Sequence, residues 1–296
     1  MIITNKMELP DALVKAVSRE RHNKERHYSA TTLLKGVAET VLMARHWDEI
    51  EVDASESIWQ VFGSAVHYIF EKQTDGAFKE EAFEVKVSNS VVTGRVDCYD
   101  LENELLIDWK TASVWKVQFK DFSDWYRQGL IYAWLMKQNG LTVKRCQFIA
   151  LLKDHSKSKA KYDETYPQEP VYVYQFDVTD KALEEIEKFI FEKIDALEKA
   201  EAVDDKNLEP CSAEERWATE PKYAVMKKGR KTALKLCATE EEAEQYRAEK
   251  GGDFIQFRPG EDKKCDNYCT VCPFCRYYQQ KMEDEEYWEN IKGERL

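Results

Sequence analysis

An α/β protein built on a mixed sheet flanked by helices is the fold class that the sequence predicts, and three observations carry it. Helical and strand periodicities follow one another in the order α-β-β-β-α-β. Two aspartates, Asp97 and Asp108, stand eleven residues apart, each at the end of a short apolar and β-branched run. Hydrophobic residues make up 43% of the 296, against 34% charged, so a sizeable core is available and long-range disorder is not expected.

Taken in order, the first helix is expected over residues 30–46, where Leu33, Leu34, Val37, Val41, Leu42 and Ala44 recur at roughly helical spacing. Asp53 to Glu56 offers helix-start chemistry for a second, which runs through Lys72 with Ile58, Val61, Phe62, Ala65, Val66, Ile69 and Phe70 along one side. Three short strands follow between about 82 and 110, the last two joined by a turn around Glu102-Asn103. Residues 121–138 form the next helix, with Phe122, Trp125, Leu130, Ile131, Trp134 and Leu135 on a broad apolar face and a stop at Asn139-Gly140. Cys146 to Leu152 and Val171 to Val178 read as strands separated by a lysine-rich polar loop. A helix over 180–201 carries Leu183, Ile186, Phe189, Ile190, Ile194 and Leu197.

Composition shifts after Asp204, which sets the expected boundary: a helical N-terminal region plus core over 1–204, and a small appendage over 205–296. The appendage holds a lysine-rich strand (Tyr223 to Leu236), an acidic helix (Glu240 to Lys250) and a run from Phe254 into a cysteine cluster. No internal repeat is visible.

A net charge of −12 argues against a general polyanion binder, though a protein can be acidic overall and still meet a polyanion where metal ions and local lysines face it. No apolar run reaches the length of a membrane span, and Met1 to Lys24 lacks a signal-peptide core. The expectation is a cytoplasmic protein with no membrane partner. Its eight cysteines are then reduced, and four within eleven residues point to a metal.

The chemistry centres on Gly94-Arg95-Val96-Asp97 and Asp108-Trp109-Lys110. A hairpin would bring Asp97 and Asp108 side by side at one edge of a sheet. Carboxylates that close repel, and a hard divalent cation with oxygen ligands, Mg2+ or Mn2+ rather than zinc, relieves the repulsion. Lys110, two positions beyond Asp108, shares its strand face and reaches whatever such a cation holds. The bland alternative is a surface turn of solvated charges. His67, on the preceding helix, is read either as a satisfied core histidine or as a ligand. Gln128 and Tyr132 share a helix face and are otherwise ordinary surface polar groups. Glu84 is a further candidate, because a charge inside an apolar strand needs a partner.

Together these residues resemble the RecB-type branch of the PD-(D/E)XK nuclease superfamily, which includes phage recombination exonucleases and CRISPR-adaptation nucleases. The resemblance covers residues 28–150 through four motifs in order: Gly63-x-x-x-His67, Gly94-x-x-Asp97, Asp108-x-Lys110-Thr111 and Gln128-x-x-x-Tyr132. Val96 stands where the superfamily's name places proline, as is usual in this branch. The resemblance implies a restriction-endonuclease-like core with His67, Asp97, Asp108 and the Trp109 carbonyl as metal ligands. It implies a catalytic role for Lys110, as a base-like or a charge-stabilising group, and site- or strand-ordering roles for Gln128 and Tyr132.

Cys265, Cys269, Cys272 and Cys275 suit zinc or an iron–sulfur cluster equally well on softness. The resemblance implies a 4Fe–4S cluster that staples the C-terminal segment, with zinc as the alternative. It also implies Cys211 as the substitute fourth ligand with Cys265, Cys269 and Cys275; the four contiguous cysteines are the other set. Cys98, Cys146 and Cys237 read as packing residues. Lys153 to Lys161 and Lys227 to Lys231 could touch DNA or be solvated loops, and Trp115, Trp125 and Tyr126 could stack on unpaired bases, with core packing the rival for Trp125.

The expected function is therefore a Mg2+/Mn2+-dependent DNA nuclease, an exonuclease on DNA ends or single strands in phage or mobile-element recombination. In that setting it would work in a bacterial host cell, with a recombination protein as a partner. The rivals are a non-catalytic DNA-binding or assembly module that keeps the fold and cluster, and a cysteine-cluster redox or regulatory protein. Oligomeric state, polarity and strand preference are not legible.

Overall fold

The chain folds in the order β1 (Ile2–Thr4), α1 (Asp11–Val17), β2 (His27–Ser29), α2 (Ala30–Leu33), α3 (Val37–Arg45), β3 (Glu51–Asp53), α4 (Ile58–Gln73), β4 (Phe78–Val87), β5 (Ser90–Asp100) and β6 (Leu105–Ala112). It continues through α5 (Val114–Gln118), α6 (Ser123–Gln138), β7 (Arg145–Leu152), α7 (Lys157–Tyr162), β8 (Val171–Asp177) and α8 (Asp180–Ala200). The computed structural model describes residues 1–18, 24–73 and 78–293. It divides into two units, Met1–Val203 and Asp204–Leu296.

In the first unit a mixed sheet runs β2-β5-β6-β7-β8, with β4 also paired to β5. Pairing is antiparallel for β4–β5, β5–β6 and β7–β8, and parallel for β2–β5 and β6–β7. One edge of β5 changes partner midway. It pairs with β2 at Val91–Thr93 and with β6 only from Cys98 to Asp100. Residues 94–97 lie between these two ladders, so the sheet forks there.

Helix α6 forms the centre of the core. Its residues 128–136 are all buried, and Ile131, Leu135 and Met136 are fully so. Burying each such side chain stabilises the fold by about 1.5–3 kcal/mol. Two glycines set how closely α6 approaches the sheet. A Cβ on Gly129 would stand 2.9 Å from Phe176 and 3.0 Å from Phe148, while one on Gly94 of β5 would stand 2.6 Å from Leu135 and 2.9 Å from Tyr132. Trp125, Phe148, Tyr174 and Phe176 pack face to face or tilted beneath the helix. Helix α8 lies with its buried Ile186, Ile190, Ile194 and Leu197 toward α3 and α6.

Three expectations are corrected here. The single helix over 30–46 is two, because Gly36 adopts an extended backbone (φ −61, ψ 147) as the N-cap of α3; glycine loses more freedom in a helix than any other residue. The lysine-rich loop contains α7, started by Ser156, whose hydroxyl accepts the Lys159 amide. The apolar side of α4 is largely uncovered: among its described residues only Val66 is buried, while Phe62 and Ile69 are exposed. Contact with the sheet falls on β5 and β6, at the fork, so α4 covers little of the sheet beyond it.

The second unit contains α9 (Ala213–Arg216), β9 (Lys222–Met226), β10 (Lys235–Cys237), α10 (Glu240–Lys250), β11 (Phe254–Arg258), α11 (Lys263–Asn267) and α12 (Arg276–Gly293). Its antiparallel sheet has the order β10-β9-β11. The one lysine-rich strand expected over 223–236 is thus a pair of strands. Val225, Cys237 and Ala243 form a small core with Tyr223, Leu234, Tyr246 and Ile255 against it. Contacts of its own chain hold the cysteine-rich segment. Asp262, 6% exposed, accepts hydrogen bonds from Arg216 (3.0 Å) and Tyr277 (3.0 Å) and lies 3.4 Å from the Lys281 ammonium.

Candidate active site

The fork collects the polar residues of the core. Asp97 projects from β5 where the β5–β6 ladder has ended at Cys98–Ile107. Its Oδ2 accepts the Trp109 amide hydrogen at 2.8 Å, so a side chain continues what the backbone ladder leaves off. Its Oδ1 lies 3.2 Å from His67 Nδ1, brought in by α4. The carboxylates therefore stand at a fork between two inner strands, not along a sheet edge as the hairpin reading had it.

Asp108 is the most deeply placed of the set, 2% exposed. Lys110, on the same strand, holds its ammonium 2.5 Å from Asp108 Oδ1 and 5.5 Å from the centre of the Phe148 ring. The Lys110 ammonium is the partner of this buried oxygen. On the other side, Gln128 of α6 donates to Asp108 Oδ2 over a long 3.5 Å and to the Tyr132 hydroxyl at 2.9 Å. Trp109 stacks on Phe70 of α4, centroids 4.4 Å apart, which fixes the strand between the two acids.

These neighbours shift the titrations. Burial lifts Asp108 to about 6; the Lys110 ammonium opposes the rise and the Asp97 charge adds to it. His67 is held above its ordinary value by its hydrogen bond to Asp97, against partial burial, with the Asp97 and Asp108 charges adding.

Of the residues the sequence singled out, Asp97, Asp108, Lys110, Trp109, His67, Gln128 and Tyr132 come together around this fork. Glu84 does not. Its side chain is 53% exposed, 3.8 Å from Lys24, and it faces Thr93 across the β4–β5 ladder. Water solvates the charge, so it needs no catalytic partner. Sequence reasoning missed Phe148, whose ring flanks Lys110, and the packing role of Gly94; neither type carries a chemical signature. It also missed Asp154, which accepts from Ser113 Oγ (2.6 Å) and the Val114 amide (2.8 Å) and so caps α5 beyond the site.

The cysteines separate. Cys98, Cys146 and Cys237 are buried in strands. Cys272 donates to the Cys265 carbonyl at 3.0 Å. The Cys265 and Cys269 sulfurs beside its thiol push Cys272 far up, and the same neighbourhood holds Cys265 below the ordinary thiol range. Cys275 is raised by burial. Cys211 lies at the start of α9, its carbonyl accepting from Arg216. Among the described residues no group of three or more His, Cys, Asp or Glu side chains is arranged to hold a metal ion. At the fork, Lys110 and His67 occupy the carboxylate oxygens instead.

No family model matches the sequence, and no curated protein matches it. Among solved structures the chain is similar to SSO0001, at 18% identity over 62% of this chain and 82% of that one (TM-score 0.42). It is similar to an alkaline exonuclease from Laribacter hongkongensis, at 15% identity over 58% and 88% (TM-score 0.37). A phage-related exonuclease from Haemophilus somnus 129PT matches at 14% identity over 58% and 95% (TM-score 0.36).

Proposed function

We propose that the chain is a divalent-metal-dependent DNA nuclease, acting as an exonuclease on DNA ends or single strands. The observation that carries this reading is Asp108: a carboxylate 2% exposed, beside the charge of a second carboxylate, with the Lys110 ammonium against its Oδ1. Two carboxylates held that close repel, and a divalent cation between them would relieve the repulsion that Lys110 offsets only in part. The donor set suits Mg2+ or Mn2+: Asp97 and Asp108 supply hard oxygens, with the Trp109 carbonyl and His67 as further donors. Bound there, such an ion would make a water nucleophilic near neutral pH and stabilise charge on the phosphoryl oxygens.

The chain's own groups do the rest. Lys110 is a mobile ammonium beside Asp108, placed to orient the attacking water or to neutralise charge building on the phosphate. Gln128 holds Asp108 and Tyr132 in one hydrogen-bonded row and so fixes the carboxylate's rotamer. Trp109 and Phe70 clamp the backbone between the acids. His67 turns its Nδ1 to Asp97, which leaves Nε2 as the ring nitrogen available to a metal when the ring is neutral.

The cysteine segment supports a second metal. Cys265 and Cys269 both lie against Cys272, a set of soft sulfur donors of the kind a 4Fe–4S cluster or zinc takes, with Cys275 or Cys211 as the fourth, though the side chains as placed are not arranged around an ion. Phage or mobile-element recombination, with a recombination protein as partner, is the setting we infer from the motif resemblance.

The deciding experiment is hydrolysis of labelled single- and double-stranded DNA with Mg2+, with Mn2+ and with EDTA. Cleavage that EDTA abolishes is the expected result. DNA binding with no cleavage under any metal would replace the nuclease by a non-catalytic DNA-binding module.

A further inference from the structure

Four residues past Lys110, strand β6 gives way to α5, and between α5 and α7 lies a groove of about 730 Å³. Trp115 and Tyr162 stand on its walls, 56% and 82% exposed, and Tyr166 is buried in its lining. Trp115 stacks on Phe119, centroids 5.6 Å apart, which sets the orientation of its ring in the groove wall. The groove is also pre-organised. The Tyr166 hydroxyl accepts the Ser156 amide hydrogen (2.9 Å) and donates to the Asp154 carbonyl (3.2 Å), while the Asp154 carboxylate caps α5.

The groove's lining holds Lys159 beside Asp154 and Asp163, and further lysines lie on the segment that forms its α7 wall. Residues 153–163 carry Lys153, Lys157, Lys159 and Lys161 against Asp154 and Asp163, in a protein of net charge −12. Two of those ammonium groups sit over rings of the groove, Lys159 at 5.9 Å from Tyr166 and Lys161 at 5.6 Å from Tyr162, while Lys153 lies over Trp59 of α4 at 4.3 Å. The two acids are engaged within the chain, Asp154 at α5 and Asp163 with the Thr165 amide and hydroxyl. The Lys153 amide in turn donates to the Ala112 carbonyl at 3.0 Å, tying this basic edge to the end of the catalytic strand.

Aromatic faces flanked by lysines match one occupant well. An unpaired nucleotide offers a π-face to stack and a phosphate to neutralise. A duplex hides its base faces inside its own stack, so the rings would find nothing there. An extended backbone covers roughly 13 Å between residues 110 and 114, a span of only a few nucleotides. We propose that the α5–α7 groove binds the bases of an unpaired DNA strand next to the scissile phosphate, with Trp115 and Tyr162 as stacking platforms. This rests on the nuclease reading for what lies at the fork, but the groove itself is tested separately.

The test uses the full chain in EDTA and the fluorescence anisotropy of a labelled oligo(dT) and of an abasic strand of equal length. Trp115→Ala and Tyr162→Ala should each weaken oligo(dT) binding about tenfold, as loss of a stacking platform does. Tyr162→Phe, which keeps the ring, should bind as the wild type. The abasic strand should bind the wild type more weakly than oligo(dT), and the alanine substitutions should not weaken it further. With Mn2+, hydrolysis of thymidine 5′-monophosphate p-nitrophenyl ester should be the same in all four proteins, because that substrate needs only the fork. Alanine variants that bind oligo(dT) like the wild type, or that lose the abasic strand equally, overturn the groove. A wild type that cleaves neither ester nor DNA while the alanine variants still lose oligo(dT) overturns the nuclease and leaves the groove standing.

Discussion

The Asp97 carboxylate accepts the Trp109 amide hydrogen at 2.8 Å just beyond the last β5–β6 ladder pair, so one side chain both props the fork open and presents a charge inside it. The two duties can be separated. Asp97→Asn keeps an amide oxygen for Trp109 but loses the charge, and Asp97→Ala loses both. Asparagine should therefore unfold near the wild-type denaturant midpoint with cleavage abolished. Alanine should lose cleavage and also about 1–3 kcal/mol of stability, because the Trp109 N–H loses its partner. Equal midpoints for the two variants would remove the propping role.

Gly94 lies at the same fork and its expected effect is steric. A Cβ there meets Leu135 at 2.6 Å and Tyr132 at 2.9 Å, below any real contact. Gly94→Ala should cost about 1–3 kcal/mol through overpacking. It should also lower cleavage, since Tyr132 must move and Gln128 bonds to it. Leu135→Ala deletes the nearest atom, so a double-mutant cycle in denaturant should show favourable coupling between the two positions. Additive losses would mean that the approach of α6 is not what excludes a side chain at Gly94.

How much of this was legible follows from particular residues. The strands around Asp97 and Asp108, helix α6 and its stop at Asn139 came through because their apolar periodicity is strong and their ends carry turn chemistry. The α2–α3 break was hidden because Gly36 sits inside a helical pattern whose flanks are both helical. Glu84 misled because alternation in a strand cannot say which face is wet. The fork itself left no mark, since it arises from β5 changing partners, and partner choice is a tertiary property. Motif spacing named residues that gather at one place, but not the Lys110 and His67 contacts that the carboxylates make there.

Asp108 gives the pH dependence. Burial raises it to about 6 in the folded chain, above the ordinary carboxylate value near 3.9 that applies unfolded. The folded state thus binds the proton more tightly, so this group's contribution to stability is fully present below about pH 4 and is lost as pH rises through about 6. Asp108→Asn removes the ionisation. In EDTA the variant should melt several degrees above the wild type at pH 8, and the gap should close by pH 4, while cleavage is lost throughout. A gap that is constant from pH 4 to pH 8, or reversed at pH 8, would contradict a buried charge as its cause.

The cysteine segment makes a prediction that is independent of cleavage. Cys265 and Cys269 both lie against the Cys272 thiol, and a thiophilic metal would displace the protons of all three together. Anaerobically purified protein should carry stoichiometric iron and absorb broadly at the blue end of the visible range; stoichiometric zinc without iron would change the centre but keep the site. Cys269→Ser should lower metal content and expose the C-terminal segment to proteolysis. Asp262, clamped by Arg216, Tyr277 and Lys281, should keep part of that segment folded even then. Proteolysis of Cys269→Ser should accordingly be partial, and become complete only when Asp262→Ala is added. Cys211→Ser and Cys272→Ser distinguish the fourth ligand, because only loss of a true ligand empties the site. Protein with neither iron nor zinc would leave the thiols as a hydrogen-bonded packing cluster, and Cys272→Ser would then act on stability alone.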